Sequence, residues 1–275
     1  MMATRFGHSS TTALLLRNRA DKNRSDGTGW TCLMRAAGNG HTKVVVELLK
    51  GSSDPLHVDA QDKTHDTTAL MAACKSGQLD TASLLLDHDA NTLLQDSNGR
   101  TALHHSASAG HDLVVKALLQ QPDEVVKELA ACTDARHMTP LMLACEHGCE
   151  GAVRLLLGPK KACADNVVVK GREGDGYTAL MIAVDQGHKE VVRVILQQSK
   201  SDVHQVAEDG ETTAFSLAKK NRDEVVLKLL HQVRTVLFQS HQQTKVAYDA
   251  WHRWLRGREP ESLKVSLPPF NEPKT

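Results

Sequence analysis

Three short stretches of this 275-residue chain carry residue types able to do chemistry. Residues 145–149 read Cys-Glu-His-Gly-Cys, with Cys145 and Cys149 one helical turn apart and His147 nearby, which invites a zinc site. A structural zinc needs four ligands at short-loop spacing, and no second pair accompanies these. His104 and His105 precede Ser106, but Ser106 falls in a slot that reads Ala in parallel stretches of the chain, so nothing nucleophilic results. The third stretch, GPKKACADNVVVKGREGDG at 158–176, is glycine-rich and basic at its ends, yet its glycines miss the spacing of a phosphate-cradling loop. No catalytic constellation emerges. The expectation is a chain that is not an enzyme, with no metal and no cofactor.

The elements that position these residues repeat. A pattern begins at Thr31 (TCLMRAAGNGH) and recurs at Thr68, Thr101, Thr139 and Thr178, with a degraded copy at Thr213. The starts are separated by 37, 33, 38, 39 and 35 residues, a period that marks a repeat architecture. Each Thr is a good N-cap, its hydroxyl able to accept from a first-turn N–H. Pro140 sits where a missing N–H costs nothing. The Leu and Ala positions that follow make a narrow stripe that a neighbouring helix can approach closely. Gly40, Gly77, Gly110, Gly148 and Gly187 end that helix in a left-handed turn. A second helix follows with apolar residues at helical spacing, Val44, Val45, Leu48 and Leu49 in the first full copy. Polar runs such as Asp96-Ser97-Asn98-Gly99-Arg100 then read as hairpin tips.

These motifs closely resemble the ankyrin repeat. Its Thr-Pro-Leu-His opening appears as TCLM, TALM, TALH, TPLM, TALM and TAFS, and its Gly-His turn as Gly40-His41, Gly110-His111 and Gly187-His188. The resemblance implies an all-α, ankyrin-type helical repeat solenoid with short β-hairpin loops. Only His104 keeps the family's His; Met34, Met71, Met142 and Met181 replace it, which shifts stability toward apolar packing. Asp66 and His137 stand where a hairpin Gly belongs. The expected organisation is an N-terminal half repeat at 1–25 lacking its first helix, a solenoid at 26–231 ending in a polar capping repeat, and an amphipathic helix with a Pro-rich tail at 232–275. The first residues, basic and free of acids, also have the composition of a mitochondrial transit segment, the lesser alternative to the half repeat. The loop at 120–134 carries Val125, Val126 and Leu129 at helical spacing, so the preceding helix lengthens or restarts there.

Composition narrows the partners. Formal net charge is zero, so no global field draws the chain to nucleic acid or to an anionic membrane. Residues 26–230 hold 21 Lys and Arg against 28 Asp and Glu, which repels phosphate. No apolar run reaches the ~18 residues that span a bilayer. Aromatics make up only 3%, as suits a core of thin Leu, Val and Ala layers. None of the six cysteines forms a Cys-x-x-Cys pair, which points to a reducing compartment, cytoplasm or nucleus.

An ankyrin-type stack leaves a long concave face built from hairpin tips and the polar ends of the first helices. On the tips the register places Trp30, His65, Asn98, Arg100, Arg136, Met138, Asp175 and Tyr177; on the helix ends it places Asn39, Lys75, Glu146, His147 and Asp185. Arg35 and His105 intrude on the inner row, either as contacts for a partner's polar groups or as tolerated substitutions. The expected function is a non-catalytic scaffold, adaptor or assembly chaperone, monomeric by itself, that binds another protein and no small-molecule substrate. The alternative is the recognition domain of a larger enzyme or channel. Trp251 and Trp254, on one face of the last helix, either cap the stack or contact a partner.

Overall fold

The computed structural model describes residues 1–50, 56–158, 176–198 and 205–235. Helices pair in chain order: α1 (Met2–Arg5) with α2 (Ser9–Arg17), α3 (Cys32–Gly38) with α4 (Thr42–Leu49), and α5 (Ala69–Lys75) with α6 (Leu79–Leu86). Next come α7 (Ala102–Ser108) and α8 (Asp112–Leu118), followed by a lone helix, α9 (Asp123–Ala131). Then α10 (Pro140–Glu146) pairs with α11 (Glu150–Leu156) and α12 (Ala179–Asp185) with α13 (Lys189–Gln198). Last is α14 (Ala214–Lys220), followed by helical residues 224–235. The first helices stack in one row, from α1 on α3 to α12 on α14, and the second helices in a parallel row from α2 to α13. Met1–Val233 form one unit; a second, Arg234–Thr275, lies almost wholly outside the described residues, as do Trp251 and Trp254.

The Thr that opens each copy works as its sequence position requires. Thr31, Thr68, Thr139, Thr178 and Thr213 accept from the N–H three residues on, at 3.1–3.3 Å. Each satisfies an orphan donor of the first turn, a contribution of about 1 kcal/mol. Behind the cap the Leu, Met and Ala positions are sealed: Leu33, Leu70, Leu103, Leu141 and Leu180 are all at most 2% exposed. The four Met residues in the family's His slot are equally buried, and the Met34 sulfur accepts from the Thr31 N–H at 3.4 Å. In the one copy that keeps the imidazole, His104 Nδ1 accepts from the Thr101 N–H at 3.1 Å, leaving Nε2–H to donate to the Met138 carbonyl of the next copy at 3.1 Å. That polarity fixes the neutral tautomer.

Two further seams join one copy to the next. At the turn between paired helices, the residue after the Gly reaches back one repeat: Nε2–H of His41, His111 and His188 donates to the carbonyls of Arg5, Lys75 and Glu146 at 3.0–3.2 Å. Cys149, in the same slot, donates its thiol to the Ser108 carbonyl at 3.6 Å. At the hairpin tips, N–H groups of Lys63, Ser97 and Ala135 donate to the carbonyls of Thr28, His65 and Asn98 in the preceding tip. The tips close on themselves through backbone bonds, as in Asp96 N–H to Arg100 C=O and Gly99 N–H to Asp96 C=O, and Ser25 and Thr31 form an isolated antiparallel bridge. Asp66 and His137 adopt φ of 55° and 58°, the left-handed geometry of the Gly they replace.

One expectation needs correction, and one open alternative is resolved. The first helix of the N-terminal pair is not missing: α1 supplies its final turn and packs on α3 and α2. The 120–134 loop restarts as the separate helix α9, because Pro122 supplies no N–H to continue α8 and the acids after it suit a helix start.

The turn seam makes a differential prediction. Gly148 has φ 71°, and a Cβ there would lie 2.7 Å from the His188 ring; Gly187 has φ 76° with nothing within 4 Å of a Cβ. Gly187→Ala should cost about 1 kcal/mol through backbone strain alone. Gly148→Ala should cost at least about 1 kcal/mol more, by dislodging His188 from its carbonyl. Urea titrations of the two variants check this, and equal losses would remove the imidazole from the seam.

Candidate protein-interaction surface

The tips are organised by an acid at their base. Asp26 Oδ1 accepts from the N–H groups of Thr28 and Trp30, and Asp96 Oδ1 from those of Asn98 and Arg100. Asp134 Oδ1 accepts from the N–H groups of Arg136 and Met138 at 2.9 Å each. Asp62 spends both oxygens this way, on Thr67, Thr64 and His65. Burial pushes Asp62 up, but these donors outweigh it and hold the carboxyl below its ordinary range. The Thr28 hydroxyl and then the Arg35 guanidinium hold Asp26 far below it. These aspartates were overlooked as functional organisers, although the signal is present: an Asp five residues before the capping Thr, six in the longer second tip.

The second oxygen of three of these aspartates takes a side-chain N–H donor, an arginine in two cases and a neutral histidine in the third. Arg35 Nη2 lies 2.7 Å from Asp26 Oδ2 while its guanidinium stacks 4.5 Å over the Trp30 ring. His105 Nε2 lies 2.9 Å from Asp96 Oδ2. Burial pulls His105 below its ordinary value despite Asp96, so at neutral pH the imidazole donates Nε2–H as a neutral group. Arg35 and His105 are thus the inner-helix ends of bonds that clamp their own hairpins. Where Leu143 offers nothing, Asp134 Oδ2 accepts from Arg100 Nε of the previous tip at 3.3 Å. Arg136 forms a bidentate pair with Glu146 at 3.2 and 3.0 Å.

Most of the expected contact residues line this face, in different states. Asn39, His65, Lys75, Asn98 and His147 are exposed. Asn39 Nδ2 donates to the Arg35 carbonyl at 2.9 Å, and His147 Nδ1–H to the Leu143 carbonyl at 2.9 Å. Trp30, Arg100, Arg136, Glu146, Tyr177 and Asp185 are half-buried, and Trp30 and Tyr177 pack partly on the core. Met138 is withdrawn from the surface: it is 0% exposed, drawn inward as its N–H bonds Asp134 and its carbonyl receives His104. Asp175 lies outside the described residues.

Two of the three stretches that invited chemistry are absorbed by packing, and residues 159–175 of the third lie outside the described residues. Cys145 is buried inside α10, and Ser106, fully buried, donates its hydroxyl to the Leu103 carbonyl at 3.2 Å. Burial pushes the thiols of Cys74, Cys132 and Cys149 up, away from the reactive thiolate. Among the described residues no group of three His, Cys, Asp or Glu side chains is placed to hold a metal, and no helix is long and apolar enough to cross a membrane.

A family profile described as "Ankyrin repeats (3 copies)" matches in overlapping windows from residue 1 to residue 238. The human Transient receptor potential cation channel subfamily A member 1 is 25% identical over 252 residues, 89% of this chain but 21% of that protein. Mouse Rabankyrin-5 is 26% identical over 64% of this chain and 14% of its own length. Mouse Ankyrin repeat and SAM domain-containing protein 6 is 38% identical over 40% of this chain and 11% of its own. The chain therefore spans about a fifth, or less, of the length of these relatives. Among solved structures, the human ASB11 ankyrin repeat domain superposes with a TM-score of 0.67 at 20% identity, covering 84% of this chain and 96% of that one.

His104 yields a pH prediction. Burial pulls it down from 6.5 to about 4, so the fold keeps it neutral while the unfolded chain protonates at its ordinary value. Between those values the unfolded state holds the extra proton, and stability falls as pH drops from 6.5 to about 4. His104→Met, the residue of four sibling copies, should lose about 1 kcal/mol at pH 7 with the bond to Met138. Its stability should then decline less steeply than the native chain's through that window. Urea midpoints at pH 7, 5.5 and 4.5 measure it, and parallel slopes would refute the buried neutral state.

Proposed function

This chain belongs to the ankyrin repeat family, whose repeats are protein-interaction modules, and from that premise we propose that it is a non-catalytic scaffold, adaptor or assembly chaperone. It grips another protein on the concave face of hairpin tips and first-helix ends. The observation that carries this reading is the contrast between frame and face. The caps, seams and tip aspartates are consumed internally, while Asn39, His65, Lys75, Asn98 and His147 present side chains to solvent along one line of repeats. Half-buried Trp30, Tyr177 and Arg136 add residue types enriched at interface hot spots, already held in place by packing or by a bidentate partner. A standard interface of ~800 Å² per partner is within reach of such a row of tips. The free thiols of Cys32, Cys74, Cys132, Cys145 and Cys149 support a reducing location, cytoplasm or nucleus.

A second reading, the recognition segment of a longer protein, draws on the relatives, in which matching repeats occupy 21% or less of the length. Transcript sequencing upstream of the Met1 codon decides it: an open frame encoding further domains supports it, an in-frame stop ends it.

Trp30 and Tyr177 are poor probes of the face, because removing either also strips core packing. Ser76 and Asn98 are exposed and make no side-chain bond among the described residues, so Ser76→Tyr with Asn98→Tyr should leave stability within about 0.5 kcal/mol while blocking the face. Leu113, 64% exposed on α8, is the control position for Leu113→Arg. Affinity capture with mass spectrometry should lose its specific partners with the double variant and keep them with the control. The reverse result would move the interface to the second-helix side.

A further inference from the structure

Where glycine follows asparagine, the backbone nitrogen can attack the asparagine side chain, because the residue that carries it has no Cβ to hinder the approach. The chain has two such pairs, Asn39-Gly40 and Asn98-Gly99, and the fold treats them differently. Asn39 closes α3 with its carboxamide pinned: Nδ2 donates to the Arg35 carbonyl at 2.9 Å and to the Arg5 carbonyl at 3.3 Å. Asn98 stands exposed in the third tip, and its carboxamide bonds no described group. Only its backbone is held, the N–H donating to Asp96 Oδ1 at 2.9 Å and the carbonyl accepting from Ala135 N–H at 2.8 Å. Gly99 has φ 73°, and its N–H meets the Asp96 carbonyl at 2.8 Å, so opening that one bond releases the nucleophile. The Gly40 N–H is bonded in the same way, to the Ala37 carbonyl, but there two side-chain bonds must break as well.

We propose that Asn98 is a site of spontaneous covalent modification, converted to aspartate and isoaspartate through attack by the Gly99 amide nitrogen. That nitrogen gives up its proton and bonds to Asn98 Cγ, the Cγ–Nδ2 bond breaks, and Nδ2 leaves with the proton as ammonia. Water then opens the five-membered imide. Cleavage between the nitrogen and Cγ gives aspartate; cleavage between the nitrogen and the former main-chain carbonyl carbon gives isoaspartate. One water enters, one ammonia departs, and nothing is oxidised or reduced. Either product sets a new carboxylate two residues from Asp96, whose Oδ1 is already filled by N–H groups. Isoaspartate also reroutes the chain through Cβ and Cγ, so the carbonyl that Ala135 met becomes a free carboxylate on a tip one backbone atom longer. The seam between the third and fourth tips is thereby weakened. The conversion rests on the geometry of the tip alone; any effect on a partner rests on the reading of this face as a docking surface.

The test is incubation of the folded full chain at pH 8, beside the same chain in guanidinium chloride, with tandem mass spectrometry of tryptic peptides over time. In denaturant both Asn-Gly pairs lose their protection and should convert alike. In the folded chain Asn98 should convert roughly tenfold faster than Asn39, or more, as the two extra bonds at Asn39 require. Asn98→Gln, whose side chain cannot close a five-membered ring, should abolish the change at that position. Hydrogen exchange at the Ala135 amide should be roughly fivefold faster in chains carrying isoaspartate, and unchanged in Asn98→Asp. Conversion of Asn39 in the folded chain as fast as that of Asn98 overturns the proposal. So does an Asn98 no more reactive there than Asn91, which precedes a threonine. An isoaspartate chain whose Ala135 amide exchanges at the native rate overturns the weakening of the seam.

Discussion

The structure depends on a side chain in one repeat bonding the backbone of the repeat before it. A pair of helices of at most ten residues each is too short to hold itself in water. Its apolar stripe is covered only when the next pair arrives, and the approach must be close enough for Ala-lined helices to touch. The imidazoles of His41, His111 and His188 set that approach, resting against Gly7, Gly77 and Gly148 while their Nε2–H groups meet carbonyls two residues before those glycines. A larger residue at the turn would push the imidazole away and separate the pairs. Close approach, small residues and the cross-repeat bond are one constraint seen three ways.

That constraint leaves the hairpins to be held by other means, and the tip aspartates do it. Each carboxylate folds its own loop by accepting N–H groups that a short, bulge-like turn would otherwise strand. The first four tips then hydrogen-bond to one another through Lys63, Ser97 and Ala135, so that part of the rim is a backbone ladder with side chains standing on it. A rim built this way keeps its shape whatever those side chains are, which is the condition for a preorganised binding surface.

What could be read in the sequence follows from this division. The Thr caps, the turn glycines and the apolar stripes each act within one turn or one helix, so spacing alone exposes them, and the family pattern fixes their register. Met138, Arg35 and His105 could not be placed that way. Whether Met138 faces out depends on an imidazole 34 residues earlier claiming its carbonyl, and Arg35 and His105 are committed to aspartates nine residues back. The same holds for α9, where the sequence showed helical spacing but not whether α8 ran on or stopped. Which of the expected contact residues remain available to solvent is therefore a property of pairs, which spacing along one chain segment does not report.

The tip aspartate also shows how recognition can vary while the frame persists. At Asp26, Asp96 and Asp134 one oxygen is committed to loop N–H groups and the other is negotiable. Position four after the capping Thr decides its partner: Arg35 and His105 reach back to it, whereas Leu143 cannot, and Asp134 draws Arg100 from the neighbouring tip instead. With Ala72 opposite, Asp62 turns both oxygens to backbone. Each choice changes which cation is consumed and which is left facing solvent, without moving a helix. Arg100 is engaged through Nε because Leu143, on the inner row, offers Asp134 no donor. Selection on a partner's charge can therefore act through buried-edge residues that never touch the partner.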